Sequence, residues 1–166
     1  MMALVCSTSA VAATSCKQKN GIYEDDDRHY VLRFYTPEDG QGISSNTFLL
    51  EPKNTDHKLD GWVIWQGEPE RPEAILNYQC PAGDVTGEEL AECRVWQGVI
   101  YSVWPDGHTD LLPPSENAAV GVILLPDLGR SLRASPAYEK LGTDKLPWDA
   151  FRLTGCAQTD EKKDDK

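Results

Sequence analysis

The stretch VWQGVIYSVWPDGH, residues 95–108, decides the fold class because nearly every residue in it reads as strand or turn. Branched and aromatic side chains alternate with small or polar ones up to Trp104. Pro105, Asp106 and Gly107 then supply a tight turn, and a return strand is expected from His108 through Leu112. A strand places successive side chains on opposite faces. Arg94, Trp96, Gly98, Ile100, Ser102 and Trp104 therefore share one face, and Val95, Gln97, Val99, Tyr101 and Val103 the other. The valine row is compact and core-like, whereas the tryptophan row is interrupted by Arg94, Gly98 and Ser102. Two roles fit the tryptophans. They line the inside of a barrel whose small residues make room for the indoles, or they form a surface on which a sugar ring or peptide stacks, with Gly98 letting the ligand reach the backbone. Core filling is the commoner use of large aromatics, and burial is expected to fall from Trp96 toward Trp104 beside the turn. The candidate ligand-binding residues are Trp96, Trp104, Tyr101 and Arg94.

The same grammar recurs along the chain. Residues 29–35 read as a strand, 36–42 as a glycine-rich turn and 43–50 as the return; 61–65 and 74–78 are two further strands separated by a polar, proline-containing link. The run AAVGVILL, 118–125, is apolar on both alternating faces, as a strand covered on both sides would be, and is too short to span a bilayer. Thr86-Gly-Glu-Glu89 is a capping-box pattern that predicts a helical turn leading to Cys93. Ser135, Pro136 and Gly142 frame the clearest helix, with Ser135 as its cap, and 127–133 suits another short turn. These elements predict a mainly β domain: a small antiparallel sheet, barrel or sandwich with one or two short helices, tied by disulfides.

The chain has 166 residues, enough for one domain with its own core. A net charge of −11, from 27 acidic and 16 basic residues, opposes general nucleic-acid binding and attachment to anionic membranes, so any charged macromolecular partner is expected to be basic. No charge precedes Lys17, and Ala10-Val11-Ala12 is a small-x-small cleavage pattern. Residues 1–12 thus read as the end of an export signal, 13–156 as one mainly β domain, and 157–166 as a disordered charged tail. Export places the domain in the periplasm or outside the cell. Cleavage there leaves Cys16, Cys80, Cys93 and Cys156. Of the three possible connectivities, Cys80–Cys93 with Cys16–Cys156 is preferred, since the first closes a turn-rich loop and the second ties the domain's ends together. In the loop-entropy picture the short bridge contributes about 3 kcal/mol and the long one about 5. A lipid on Cys16 would instead make a structural envelope lipoprotein, though Ala13, Thr14 and Ser15 fit the usual lipobox poorly.

Catalytic signatures are sparse. The sequence carries no P-loop, G-x-S-x-G elbow, H-E-x-x-H helix or dinucleotide turn, and no zinc-type cysteine spacing, so neither a cofactor nor a metal is expected. Asp25-Asp26-Asp27 reads as a solvated acidic turn, and nothing in the spacing requires His108, Asp106 and Ser131 to assemble as a triad. Carboxylate pairs for glycoside hydrolysis can be drawn from Glu68, Glu70, Glu73, Glu88 and Glu89, but acids are too common here for a pairing to be informative. The leading expectation is an exported acidic domain that acts by binding, of inhibitor or immunity type, against a basic protein. In that role the disulfide-held loop 81–92 would fill a cleft at little ordering cost. The competing expectation is a carbohydrate-active enzyme or sugar-binding module that uses Trp96 and Trp104 for a saccharide.

Overall fold

A computed structural model describes residues 16–158 except Asp39, Gln41 and Val85. The expected signal remnant, 1–12, and all but the first two residues of the expected tail, 157–166, lie outside the described residues. Six strands follow one another as a meander: β1 (Gly21–Asp25), β2 (Tyr30–Tyr35), β3 (Asn46–Pro52), β4 (Leu59–Gln66), β5 (Arg71–Asn77) and, after the helix α1 (Gly87–Cys93), β6 (Arg94–Val99). Then come β7 (Tyr101–Val103), β8 (Thr109–Leu111), β9 (Val122–Leu124), the helices α2 (Leu128–Ala134) and α3 (Ala137–Lys140), and β10 (Ala150–Cys156). A 3-10 turn, Gln18–Asn20, precedes β1.

All ten strands form one antiparallel sheet in the order β6-β5-β4-β3-β2-β1-β10-β9-β7-β8, curled into a half-barrel. One curled sheet, rather than a two-sheet sandwich, holds the core. Its far end returns to its beginning, because β6 and β7 are a single run of chain broken only at the fully buried Ile100. The lower half of this run pairs with β5, and Ile100 still donates its N–H to Pro72 O at 3.0 Å. The upper half pairs with β9 and β8. Beside β6 the missing neighbour is replaced by α2, whose Leu128 and Leu132 enter the same core as Tyr23, Phe34, Phe48 and Phe151.

Alternation places the tryptophan row inward. Trp96 is 4% exposed, and Ile100 and Ser102 are buried. Gly98 leaves the room its neighbour needs, since a Cβ there would stand 2.9 Å from Trp96 Cζ2. The valine row turns outward from Gln97 on: Gln97 is exposed and Val99, Tyr101 and Val103 are half-buried, whereas Val95 at its start is 5% exposed and belongs to the core. Branched residues on the convex side of a sheet cover one another without being enclosed.

Two other expectations need correction. The 118–125 run yields only the short β9, with Val122 and Leu124 half-buried, so it is covered on one face. Ser135 ends α2 instead of opening α3: its hydroxyl donates to Leu132 O at 2.8 Å. The helices number three among the described residues, and β1 and β10, unforeseen, form the pair that joins the two halves of the sheet. An inward carboxylate on β1 (Asp25) and a charged Arg152 in β10 hide the alternation of these strands in the sequence.

Both disulfides are present. Cys80–Cys93 has a Cα separation of 5.1 Å and Cys16–Cys156 one of 5.8 Å, inside the range a bridge requires. Between the first pair, Thr86 caps α1 as its pattern foretold: Glu89 N–H donates to the Thr86 hydroxyl, and Thr86 N–H to the Glu89 carboxylate at 2.8 Å. The second bridge engages the Cys16 sulfur, the atom a lipid anchor would need. Ala157 N–H then donates to Asn20 O at 2.7 Å, so backbone pairing runs one residue past Cys156.

Candidate functional site

The structure disperses the four residues proposed as a ligand platform. Trp96 is enclosed, its indole N–H donating to Pro126 O at 2.8 Å. Trp104 is half-buried at the mouth of the 104–108 hairpin, with its ring stacked on His108 at 5.7 Å between centroids and 7° between planes. Tyr101 points outward into a notch of about 390 Å³ shared with Arg71 and Leu111, and Arg94 donates to Gln97 Oε1 at 2.6 Å. His108 does meet Asp106, Nδ1 to Oδ1 at 2.5 Å, and the His108 N–H groups hold the Asp106 carboxyl below its ordinary pKa. Ser131 is on α2, at the opposite end of the β6–β7 run from this pair.

A different aromatic residue is presented to solvent. Trp148 is 56% exposed, beside the exposed Leu146, on the segment that leads from α3 into β10. Its position is built from the residues around it. Asp25, 2% exposed, accepts Tyr30 N–H with Oδ1 at 2.9 Å and is 3.5 Å from Trp148 N with Oδ2. Asp27 accepts the indole N–H at 2.7 Å, and Asp26 pairs with Arg152, also at 2.7 Å. The three carboxylates of the acidic triplet thus hold two backbone N–H groups, an arginine and an indole, and only Asp26 and Asp27 are solvated. On the other side Asp149 accepts the N–H groups of Asp127 and Leu128, at 2.8 and 3.1 Å. Asp127, with φ of 65°, gives α2 no cap of its own, and Asp149 takes over that role. Gly129 packs against the same segment so closely that a Cβ would stand 2.6 Å from Pro147 O.

The result is an open cleft of about 610 Å³ whose floor is Gly129 and Pro147 and whose walls carry Trp148, Leu146, Arg130 and Arg133. Since Asp27 satisfies the indole N–H, what the ring offers a ligand is its face. Asp27 and Asp127 stand at the rim as acceptors. Arg130 is 85% exposed and only loosely paired with Asp127, at 3.7 Å. Arg133 lies over the Tyr138 ring, 4.5 Å from its centroid, and also borders a second cleft of about 490 Å³ with Ser135, Pro136 and Tyr138. Between Pro126 and Trp148 the chain carries four basic residues, Arg130, Arg133, Lys140 and Lys145, against three acidic ones, Asp127, Glu139 and Asp144. The cleft itself is lined by Asp27, Asp127 and Asp149 against Arg130 and Arg133, so its carboxylates outnumber its guanidinium groups.

None of the glutamates considered for glycoside hydrolysis lines the cleft. Glu73 is held by Gln66 and Gln97, and Glu89 by its cap, where the Thr86 N–H and hydroxyl lower its pKa. Among the described residues no three His, Cys, Asp or Glu side chains gather as a metal-holding group. The sequence did contain a signal for Trp148 in Leu146-Pro-Trp-Asp149. A large aromatic between proline and aspartate, in a segment without alternation, has no strand parity to bury it. No protein-family model, curated protein or solved structure matches the chain significantly.

Proposed function

We propose that the chain is an exported domain that acts by binding a saccharide in the Trp148 cleft. The observation that carries this reading is an exposed indole pinned at its polar edge by Asp27, so that its apolar face is fixed beside rim carboxylates and guanidinium groups. Pyranose rings present an apolar C–H face and a polar hydroxyl edge, and this pairing of flat aromatic surface with rim acceptors and donors matches both. The carboxylates at the cleft hold an indole, an arginine and two backbone N–H groups, which favours holding a ligand over transforming one. Export is compatible with the two disulfides, and no helix among the described residues is long and apolar enough to cross a membrane.

The test is calorimetric titration of the disulfide-bonded domain with neutral and acidic oligosaccharides, comparing Trp148→Ala with Trp104→Ala. Trp148→Ala lowers affinity at least about tenfold, as loss of a central aromatic anchor does, and Trp104→Ala leaves it unchanged. Absence of saccharide binding, or binding indifferent to Trp148, overturns the reading.

A second reading, an inhibitor or immunity-type protein for a basic partner, draws on a different observation. The loop 81–92 has no basic residue, is closed by Cys80–Cys93, and exposes Asp84, Glu88 and Glu92. A pre-shaped acidic loop accelerates encounter with a cationic surface and loses little freedom on docking. Capture of a basic protein from an envelope extract, released by salt and lost in the triple variant Asp84→Asn, Glu88→Gln, Glu92→Gln, supports it; capture that the triple variant retains removes it.

A further inference from the structure

We infer that the end of the half-barrel formed by the 36–45 loop and the β4–β5 hairpin is a docking surface for a basic, amphipathic segment of another protein, with Trp65 and Ile43 as its apolar anchors. The surface is separate from both sites above. The Trp148 cleft lies beside the β1–β2 turn and the loop 81–92 follows the end of β5, whereas this surface occupies the opposite ends of β2 and β5. Trp65 and Ile43 are two of the four large apolar side chains exposed among the described residues, the others being Leu146 and Trp148. Trp65 continues the inward row Leu59, Gly61, Val63 of β4, but β3 begins at Asn46, opposite Val63, so no β3 residue stands opposite Trp65 and the indole is 40% exposed. Its backbone is nevertheless fixed in the β4–β5 ladder, opposite Pro72. Ser45 N–H donates to Val63 O at 2.8 Å, so Ile43, two residues before Ser45, leaves the same end of the β3–β4 pair as Trp65, two residues beyond Val63. Gly42, with φ of 55°, turns the chain there, and Ile43 is 93% exposed. An aromatic held in a ladder with a branched side chain in water beside it is an interface anchor without its partner.

Charge identifies the partner. Glu38, Glu68 and Glu70 are exposed around the apolar pair, and Glu73 is bonded by the neutral amides of Gln66 and Gln97, which leave its charge uncompensated. The hairpin has one cation, Arg71, which donates to Glu70 O at 2.9 Å and shares its notch with Asp110. Lys17 and Lys19, reached from Ser45 through the backbone of Ser115, both close on the single carboxylate of Glu116, at 2.8 and 2.6 Å. Six carboxylates, Glu38, Glu68, Glu70, Glu73, Asp110 and Glu116, therefore accompany three cations, and two of those cations are already paired. A second copy would oppose this set with itself, and an anionic surface would be repelled, so a protein segment bearing lysine or arginine is the occupant the field favours. The apolar pair then supplies the dry centre of the contact, and the carboxylates its rim, encounter rate and salt dependence.

The experiment titrates the full disulfide-bonded chain, by fluorescence anisotropy, with a labelled amphipathic peptide of lysine and leucine and with two counterparts in which glutamate replaces the lysines or serine replaces the leucines. Trp65→Ala, Ile43→Ser and the double variant Glu68→Gln, Glu70→Gln are compared with the triple variant Asp84→Asn, Glu88→Gln, Glu92→Gln, each checked for unchanged circular dichroism. The lysine–leucine peptide is expected to bind about tenfold or more tighter than either counterpart, with an advantage that shrinks as salt is added. Trp65→Ala weakens it about tenfold and Ile43→Ser about threefold, while the double variant flattens the salt dependence. The triple variant binds the peptide as the unchanged chain does, and Trp65→Ala leaves saccharide titration unchanged. Ile43→Ser alters a side chain almost wholly in water, so it carries the test even if Trp65→Ala fails to fold. Equal binding of the serine counterpart shows that charge alone holds the peptide and overturns the anchors. Binding lost in the triple variant but kept in Trp65→Ala and Ile43→Ser puts the basic segment on the loop 81–92 and overturns the site. Self-association in sedimentation that Trp65→Ala abolishes, without peptide binding, gives the surface to a second copy, and failure of the lysine–leucine peptide to bind overturns the basic partner whatever the saccharide titrations show.

Discussion

Trp96 and Trp148 both complete a hydrogen bond from the indole N–H, yet one is core and the other is surface. Trp96 donates to a backbone oxygen, Pro126 O, and stands inside the curled sheet, where strand alternation and the glycine at 98 determine its place. Trp148 donates to a side-chain carboxylate, Asp27, from a segment with no alternation, and is held by single contacts from three directions: Asp25, Asp27 and the α2 start packed on Pro147. A satisfied indole N–H therefore does not by itself mark a structural tryptophan. What distinguishes the two is whether the ring face is covered.

The sharpest test of that contrast exchanges each indole for a methyl group. Trp96→Ala removes a buried side chain that packs between β6 and α2 and should cost about 3–5 kcal/mol of stability, measured by denaturant unfolding. Trp148→Ala, at a ring already half in water, should cost less than about 1 kcal/mol, its effect appearing in ligand titration. Similar destabilisation by both would erase the distinction between core and platform.

The contrast also explains what could be read from the sequence. Where a local rule is self-contained, the chain announced it: the alternation that buries Trp96, the Thr86–Glu89 cap, the hairpin at Gly107 and the two cysteine pairs all appear as expected. Where position depends on residues far apart in sequence, it did not. Asp27 and Trp148 are separated by 121 residues, and Asp149 caps a helix that begins 21 residues before it. The core reading of the tryptophan row is met at Trp96, whereas the core-like look of the valine row is met only at Val95, for a related reason. Alternation gives two rows, but which row faces inward depends on the curl of the sheet and on α2, which closes over Trp96. Strands β1 and β10 went unseen because each carries charge that only its partner explains, Asp25 for the turn and Arg152 for Asp26.

Gly129→Ala probes the support beneath the platform. Intrinsic helix propensity alone favours alanine by about 1 kcal/mol. The new Cβ, however, would stand 2.6 Å from Pro147 O, a backbone atom that cannot rotate away. The contact should prevail, with a net loss of about 1–3 kcal/mol and a displaced Pro147–Trp148 segment, read as lower stability together with weaker binding. A more stable variant would show that α2 and the Trp148 segment are not tightly coupled.

Alkaline unfolding sharpens the comparison from the core side. The Tyr30 hydroxyl donates to Lys145 O at 2.8 Å and so reaches the base of the same segment, and burial pushes its pKa well above the ordinary tyrosine value; burial does the same for Tyr23, bonded to Gln18. The unfolded chain releases these protons near pH 10 while the folded chain keeps them, so ionisation favours unfolding. Stability should be flat up to about pH 9.5 and fall above about pH 10, with a limiting slope of roughly 1.4 kcal/mol per pH unit for each tyrosine. Tyr30→Phe should start from lower stability, having lost a hydrogen bond, but show about half the alkaline slope. An unchanged slope in denaturant midpoints between about pH 9 and 11 would assign the fall to other groups.

The smallest effect on stability is expected at Asp27, and there the two tryptophans should differ most in kind. Its bond to Trp148 is exposed, so Asp27→Ala should cost less than about 1 kcal/mol in unfolding. Without that acceptor the indole is free to change rotamer, and a ligand must then order a side chain that was previously fixed. Immobilising such a group costs about 0.5–1.5 kcal/mol, which is about two- to tenfold in affinity. Asp27→Asn keeps an oxygen in place and should fall between Asp27→Ala and the unchanged chain. The order of binding, unchanged chain above Asn above Ala, would then run with no matching order in stability, whereas weakening the Trp96 environment lowers stability first. Acrylamide quenching offers a ligand-free check, since a released Trp148 should become more accessible in Asp27→Ala. Affinity that is the same in all three chains would mean that the indole is positioned by Pro147 and the backbone alone, and that pinning by Asp27 plays no part in binding.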